Sequence, residues 1–283
     1  GADRGLPGHN FEAVVASRPR PAGTIAPSLY VLGVDGVFAL FGDTFRQVPG
    51  APSGAFRLLE VERADGAVEL WVGTTDGLLM RRTATGVWER VEPSTIQSGT
   101  PIMSLTAMSR PGDEPIIWVG YKSERLTRVV LSRARPLPLP ESLTDRQVSM
   151  VRTVHLGDRT EYWIGTSHSG VLRVTEAGSR FDGTAPAIGL GQVRSITRLG
   201  DTVWVAGDSG VAHWVDGEWR RATAGLGSTM LRRLIRVAMP DGAPKLYASA
   251  ADGVWQWRAG RWGRLKVPVL ADVTDLVQVI DPD

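Results

Sequence analysis

The 283-residue chain has no cysteine, which removes disulfides, thiolate zinc sites and cysteine nucleophiles together. Histidine is scarce: His9, His155, His168 and His213 are the four, and no His-x-His or His-x-x-x-His pair is present to chelate a metal. No apolar run approaches the roughly 20 residues that span a bilayer, and Gly1-Ala2-Asp3-Arg4 lacks the charged and apolar regions of a signal peptide. These absences are read as a cytosolic protein or a processed or excised exported domain. Lysine is nearly missing as well. Lys122, Lys245 and Lys266 are the only lysines among 32 cationic side chains, and the formal net charge is +2. The arginines form no tail or run. They alternate with apolar residues, as on strand faces, which argues against a nucleic-acid-binding arm.

What is present is a repeat. Leu70-Trp71-Val72-Gly73-Thr74-Thr75-Asp76-Gly77-Leu78 is echoed by Tyr162-Trp163-Ile164-Gly165-Thr166, Val203-Trp204-Val205-Ala206-Gly207 and Leu246-Tyr247-Ala248. More degenerate copies begin at Tyr30 and Trp118, so the aligned aromatics fall at 30, 71, 118, 163, 204 and 247, with spacings of 41, 47, 45, 41 and 43. A period in the forties, rich in short strands and glycine turns, predicts β-propeller blades.

The second copy shows the unit. Ala55 to Val61 alternates into a first strand, Ala64-Asp65-Gly66 turns, Glu69 to Gly73 is the second strand, Leu78 to Arg82 the third and Val87 to Val91 the fourth. First strands are expected near Phe11–Ala16, Phe56–Val61, Ile102–Met108, Val148–His155, Val193–Leu199, Leu231–Val237 and Val273–Val279. Fourth strands carry an aromatic at Phe45, Trp88, Phe181, Trp219 and Trp262, placed to cover the face of a neighbouring blade. Asp35-Gly36, Asp76-Gly77 and Asp252-Gly253, with Ser209-Gly210 in the same slot, read as hairpin turns rather than calcium loops, because the carboxylates come singly.

Two copies depart from the unit. The third has an extra residue in Tyr121-Lys122-Ser123-Glu124-Arg125, and Arg135-Pro136-Leu137-Pro138-Leu139-Pro140 predicts a polyproline stretch in place of its fourth strand. The fourth copy has an extra turn residue in Thr166-Ser167-His168-Ser169-Gly170. The expectation is therefore an all-β chain, a single β-propeller domain over 1–283 with six complete four-stranded antiparallel repeats and a partial seventh, as a fragment of a longer protein.

Gly5-Leu6-Pro7-Gly8-His9-Asn10-Phe11 together with the 70–78 segment resembles the two-component regulator propeller repeats of bacterial sensor proteins. Gly225-Leu226-Gly227-Ser228-Thr229-Met230-Leu231 resembles a second copy of the same inter-blade loop, with Gly227 where the family usually has proline. The resemblance implies a seven-bladed propeller, often one of a pair, in the periplasmic input region of a membrane-bound histidine kinase or similar signalling protein that senses glycans or other extracellular cues. It implies a periplasmic or extracellular location, membrane contact only through regions outside this chain, and a homodimer.

Alignment of the first strands places Glu12, Arg57, Met103, Arg152, Arg194, Arg232 and Thr274 at one repeat position. Guanidinium groups gathered there clamp a carboxylate, sulfate or phosphate through paired donors, whereas arginines paired with neighbouring acids only solvate a blade end. Arg57, Arg152, Arg194 and Arg232 are thus candidate contacts for a small-molecule or glycan ligand of acidic character, with His168 on an adjacent turn. Neither cofactor nor metal is expected. Three functions stay open: a noncatalytic ligand-sensing propeller, a propeller lyase in which His168 removes a proton beside a lactone or uronate carbonyl, and an interaction scaffold that uses blade edges and the 133–140 segment.

Overall fold

The computed structural model describes residues 5–6, 11–17, 26–33, 35–91, 99–108, 113–122, 126–130, 133–137, 147–157, 159–168, 170–175, 178–182, 189–228, 230–239, 242–266, 273 and 275–276. The chain divides into two compact units, Gly1–Pro138 with Val277–Asp283, and Leu139–Leu276. Every regular element among the described residues is a β-strand.

Blades one to three belong to the first unit. They are β1 (Phe11–Ala16), β2 (Leu29–Gly33), β3 (Gly36–Phe41) and β4 (Thr44–Gln47); β5 (Ala55–Glu62), β6 (Val68–Thr74), β7 (Leu79–Arg82) and β8 (Trp88–Arg90); and β9 (Ile102–Met108), β10 (Ile116–Tyr121), β11 (Leu126–Val130) and β12 (Arg133–Leu137). Blades four to six belong to the second. They are β13 (Val148–Leu156), β14 (Arg159–Thr166), β15 (Val171–Thr175) and β16 (Gly178–Asp182); β17 (Val193–Leu199), β18 (Thr202–Gly207), β19 (Gly210–Val215) and β20 (Glu218–Arg221); and β21 (Leu231–Val237), β22 (Lys245–Ala250), β23 (Gly253–Arg258) and β24 (Arg261–Arg264). Each blade is an antiparallel meander with its strands in chain order. The six four-stranded repeats expected from the period are there.

One segment corrects the sequence reading. Arg133–Leu137 is a ladder strand, with Thr127 opposite Pro136 and Val129 opposite Ala134, rather than a polyproline replacement. The fourth strand is an edge, where half of the N–H groups need no ladder partner, so proline is tolerated there. The expected seventh first strand falls mostly outside the described residues, as do His9, Thr274 and the inserted 123–125. Of that stretch, Val273 donates its N–H to the Ala250 carbonyl at 3.2 Å.

The hydrophobic cores lie between blades. In the first unit, Tyr30, Leu32, Val37, Leu58, Leu70 and Val72 join blades one and two, and Val61, Trp71, Ile102, Ile117, Val119 and Tyr121 join two and three. In the second unit, Trp163, Val193, Ile196 and Val203 join four and five, and Trp204, Leu231, Leu234 and Trp262 join five and six. Full burial of such a side chain contributes about 1.5–3 kcal/mol. Three of the fourth-strand aromatics, Trp88, Trp219 and Trp262, reach the preceding blade or the chain leaving it, as expected from their period. Trp219 sits edge-on to Trp163 at 5.9 Å, Trp88 Nε1 donates to the Pro49 carbonyl at 2.9 Å, and Trp262 Nε1 donates to the Ala222 carbonyl at 2.7 Å.

The second-strand aromatics carry a buried polar supplement that the repeat pattern did not disclose. Trp163 Nε1 donates to Glu161 at 3.0 Å, and Arg173, opposite Trp163 on β15, closes on the same carboxylate with Nε and Nη2 at 2.8 Å each. Blade two repeats this with Trp71, Glu69 and Arg81. A Glu two residues before the Trp and an Arg ten after it are the readable signal.

The first glycines of the two inter-blade loops identified from sequence are structurally equivalent. Gly5 has φ +83° and a Cβ there would lie 2.3 Å from the Phe45 carbonyl oxygen; Gly225 has φ +87° and a Cβ would lie 2.3 Å from the Trp262 carbonyl oxygen. In each case the loop passes so close to the fourth strand that only glycine fits. Gly66, φ +79°, turns in open space. Gly225→Ala is therefore expected to cost at least about 2 kcal/mol and Gly66→Ala only about 1 kcal/mol, as read from urea denaturation midpoints. Equal losses would contradict the close approach at residue 225.

Candidate ligand-binding site

In blades two to five the chain entering the first strand lies beside the turn between the second and third strands of the same blade. Thr75 N–H donates to the Gly54 carbonyl at 2.9 Å, Ser167 to Gln147 at 2.8 Å and Asp208 to Gln192 at 3.3 Å. At this end every first strand carries a β-bulge. The residue skipped by the register is Glu12, Phe56, Met103, Ser149, Arg194 or Arg232 in blades one to six. A bulge bends its strand and re-aims the side chains next to it.

The bulges correct the alignment of the candidate arginines. Arg194 and Arg232 are both bulge residues, but Arg57 is one residue past its bulge, opposite Gly73, and Arg152 is three past, opposite Trp163. An alignment by hydrophobic alternation cannot count a residue that has no partner across the ladder. Arg57 also belongs to the first unit, whereas Arg152, Arg194, Arg232 and His168 belong to the second.

In blades two and five the residue after the bulge clasps the next blade, and in blade four the bulge residue Ser149 does so, donating Oγ to the Val193 carbonyl at 2.6 Å. In blade two Arg57 donates Nε to the Met103 carbonyl of the next blade and Nη1 to the Phe56 carbonyl, each at 2.7 Å, with its guanidinium 4.0 Å from the centre of the Phe56 ring. In blade five Ser195 accepts from Leu234 N–H of the next blade at 2.9 Å. In blade six Arg233 reaches forward to Asp275 at 3.2 Å. Sequence reasoning missed Arg233 because its neighbour Arg232 was aligned instead; the Arg232-Arg233 doublet was the available signal.

In the second unit the candidates differ in what satisfies them. Arg194 Nε is paired with the Asp208 carboxylate on the β18–β19 turn, both about one-third exposed. Arg232 is partly buried on its bulge. Arg152 is exposed to solvent, yet has no hydrogen-bond or ion-pair partner among the described residues. Crowding by protein lowers its pKa to about 10, with a smaller contribution from the Arg233 charge. With a pKa of about 10 the guanidinium stays protonated at neutral pH. His168 is exposed on the β14–β15 turn, with no hydrogen-bond or ion-pair partner among the described residues. No group of three or more His, Asp or Glu side chains that could hold a metal occurs among the described residues.

The fold recurs in solved structures. The extracellular domain of a protein described as a hybrid two-component system, BT3049 of B. thetaiotaomicron, superposes with a TM-score of 0.61 at 16% identity over 90% of this chain and 34% of that one. The computationally designed Ika8 protein gives 0.60 at 15% identity, covering 90% and 73% of the two chains. BBS1N, from its complex with ARL6DN, gives 0.57 at 11%, covering 86% and 77%. The likeness is one of fold. This chain spans about a third of the length of the B. thetaiotaomicron protein. No protein-family model and no curated protein matches the sequence.

A titratable group also lies, half-buried, in the fifth blade. His213 on β19 lies against Trp204, the rings tilted by 38° with centres 4.7 Å apart, and opposite Arg220 on β20. Burial, and then the Arg220 charge, lower its pKa from the usual 6.5. The unfolded chain thus takes up this proton more readily than the folded one, so the contribution of neutral His213 is complete above about pH 6.5 and is lost as pH falls toward the folded-state value. Urea midpoints should fall between about pH 7.5 and about pH 5, and His213→Gln should flatten that slope. An unchanged slope in the variant would contradict the assignment.

Proposed function

We propose that this chain is a noncatalytic ligand-sensing propeller, the extracytoplasmic input domain of a bacterial two-component or related signalling protein. The observation that carries the reading is the fold likeness to an extracellular domain of a hybrid two-component system over nine-tenths of this chain. The cations at the bulged ends of β13, β17 and β21 support it from the chemical side. Arg152, Arg194, Arg232 and Arg233 belong to one unit, in which Arg194 pairs with Asp208 and Arg233 with Asp275.

In this reading the domain is periplasmic or extracellular and is joined to a membrane through other parts of a longer protein. It takes a small acidic molecule or glycan fragment and works as one domain within a dimer. Ligand shifts the arrangement of domains or subunits only as far as it binds one arrangement better than the other.

The test is a thermal-shift screen of the chain against acidic and neutral oligosaccharides, with each hit followed for turnover. A bound ligand at about a hundred times its Kd adds about 2.7 kcal/mol, enough to raise the melting temperature by several degrees, and the ligand should be recovered unchanged. Recovery of an unsaturated product, lost in His168→Ala, would replace sensing by elimination chemistry.

A further inference from the structure

We propose that the face of blade five turned toward blade six binds the carboxylate group of a small organic acid through Trp204 Nε1 and His213, in the place that Glu161 takes on blade four. This goes beyond the sensing reading. It concerns other residues than the arginines at the bulged strand ends, and it stands whether or not the chain is a sensor.

The second unit holds the same aromatic constellation twice. Trp163 of blade four lies against Trp214 and Trp219 of blade five, and Trp204 of blade five lies against Trp257 and Trp262 of blade six. Across the next ladder, Arg173 is opposite Trp163 and His213 is opposite Trp204. In blade four the constellation closes on a carboxylate: Glu161, two residues before the tryptophan, accepts from Trp163 Nε1 at 3.0 Å and from Arg173 at 2.8 Å. In blade five the residue two before the tryptophan is Thr202, shorter and uncharged. Trp204 Nε1 and His213 Nδ1 are both buried atoms, and neither makes a hydrogen bond to a described residue. Trp204 itself is only 4% exposed, with its ring centre 4.7 Å from that of His213. Buried indole N–H groups are paired as a rule. In blades two and four the acceptor is a glutamate, which sets the chemical class of the partner.

The surroundings suit an anion that comes from solvent. Residues opposite one another across an antiparallel ladder share a face of the sheet, so Trp204, His213 and Arg220 form one row across β18, β19 and β20. Burial falls along that row: Trp204 is enclosed, His213 half-buried, and the Arg220 side chain 58% exposed. Arg220 engages Glu218 through Nη2 alone among the described residues, which leaves the rest of its fork to draw a carboxylate inward. His213 donates to that carboxylate once Nδ1 carries the ring proton. The tryptophans set the opening. Ring centres are 5.8 Å apart for Trp163 and Trp214, where the Arg173 guanidinium lies against both, but 5.0 Å apart for Trp204 and Trp257. Trp257 is only partly buried, and an acid enters as this ring withdraws toward the wider spacing.

The experiment is a titration of the whole chain, 15N-labelled at the tryptophan indoles, with sodium acetate and with sodium glucuronate. Sodium chloride at matched ionic strength and glucose are the controls, and Trp204→Phe assigns the signal. The expected result is a saturable shift of the Trp204 Nε1–H signal with the acids and none with chloride or glucose. Thr202→Glu, checked for folding by its melting curve, restores the blade-four pattern. Its tethered carboxylate should move the same signal with no acid added, and should weaken acetate binding about tenfold or more, because tethering raises the local carboxylate concentration to the millimolar range or above. A threonine with a purely structural role would give neither effect. A Trp204 signal that neither acid moves in the parent chain overturns the proposal, and so does undiminished acetate binding in Thr202→Glu. Either result leaves the sensing reading intact, since that reading is decided by the oligosaccharide screen.

Discussion

A four-stranded sheet that is apolar on both faces can persist in water only if both faces are covered, and in this chain the cover is the next repeat. The tryptophans show it most directly. Trp163 on blade four is completely buried, and the rings around it, Trp214 and Trp219, belong to blade five. Trp204 of blade five meets Trp257 and Trp262 of blade six in the same way. No blade holds a core of its own, so its fold depends on its neighbour. The glycine loops follow from this, because a blade pressed that closely against the next leaves the connecting chain no room for a side chain where it crosses the fourth strand.

The same dependence shapes the candidate site. Where first strands of consecutive blades run side by side, the residue after the bulge is aimed forward, and the chain uses it as a fastener: Ser195 to Leu234, Arg57 to Met103, Arg233 to Asp275. A long cation in that slot can fasten the blade and still offer donors to solvent. Arg57 shows the structural extreme, with two backbone acceptors and an aromatic platform. Arg233, 40% exposed and paired with Asp275, is the more open one.

The architecture was legible because it is periodic. Trp71, Trp163 and Trp204 recur at blade spacing, and the turn glycines punctuate each copy, so strand number and order could be read without a partner sequence. Pro136 was misread because proline excludes a central strand but not an edge, and sequence does not say which strand has the free side. The site was legible only in part. An arginine-rich row at the start of the first strands was visible, yet the bulges at Ser149, Arg194 and Arg232 shift the count by a residue that has no ladder partner, so Arg152 was aligned with side chains it does not resemble. Arg233 and Asp275 were missed for a different reason. Their pairing joins residues of separate repeats, and a repeat alignment compares copies without reporting what touches what.

Native-state hydrogen exchange on Trp163→Ala tests the central dependence most directly. The substitution sits in blade four, but the cavity opens against blade five. The account predicts that amides of β17, β18 and β19 lose protection together with those of β13, β14 and β15. Loss confined to blade four, with blade five exchanging as in the parent chain, would contradict it.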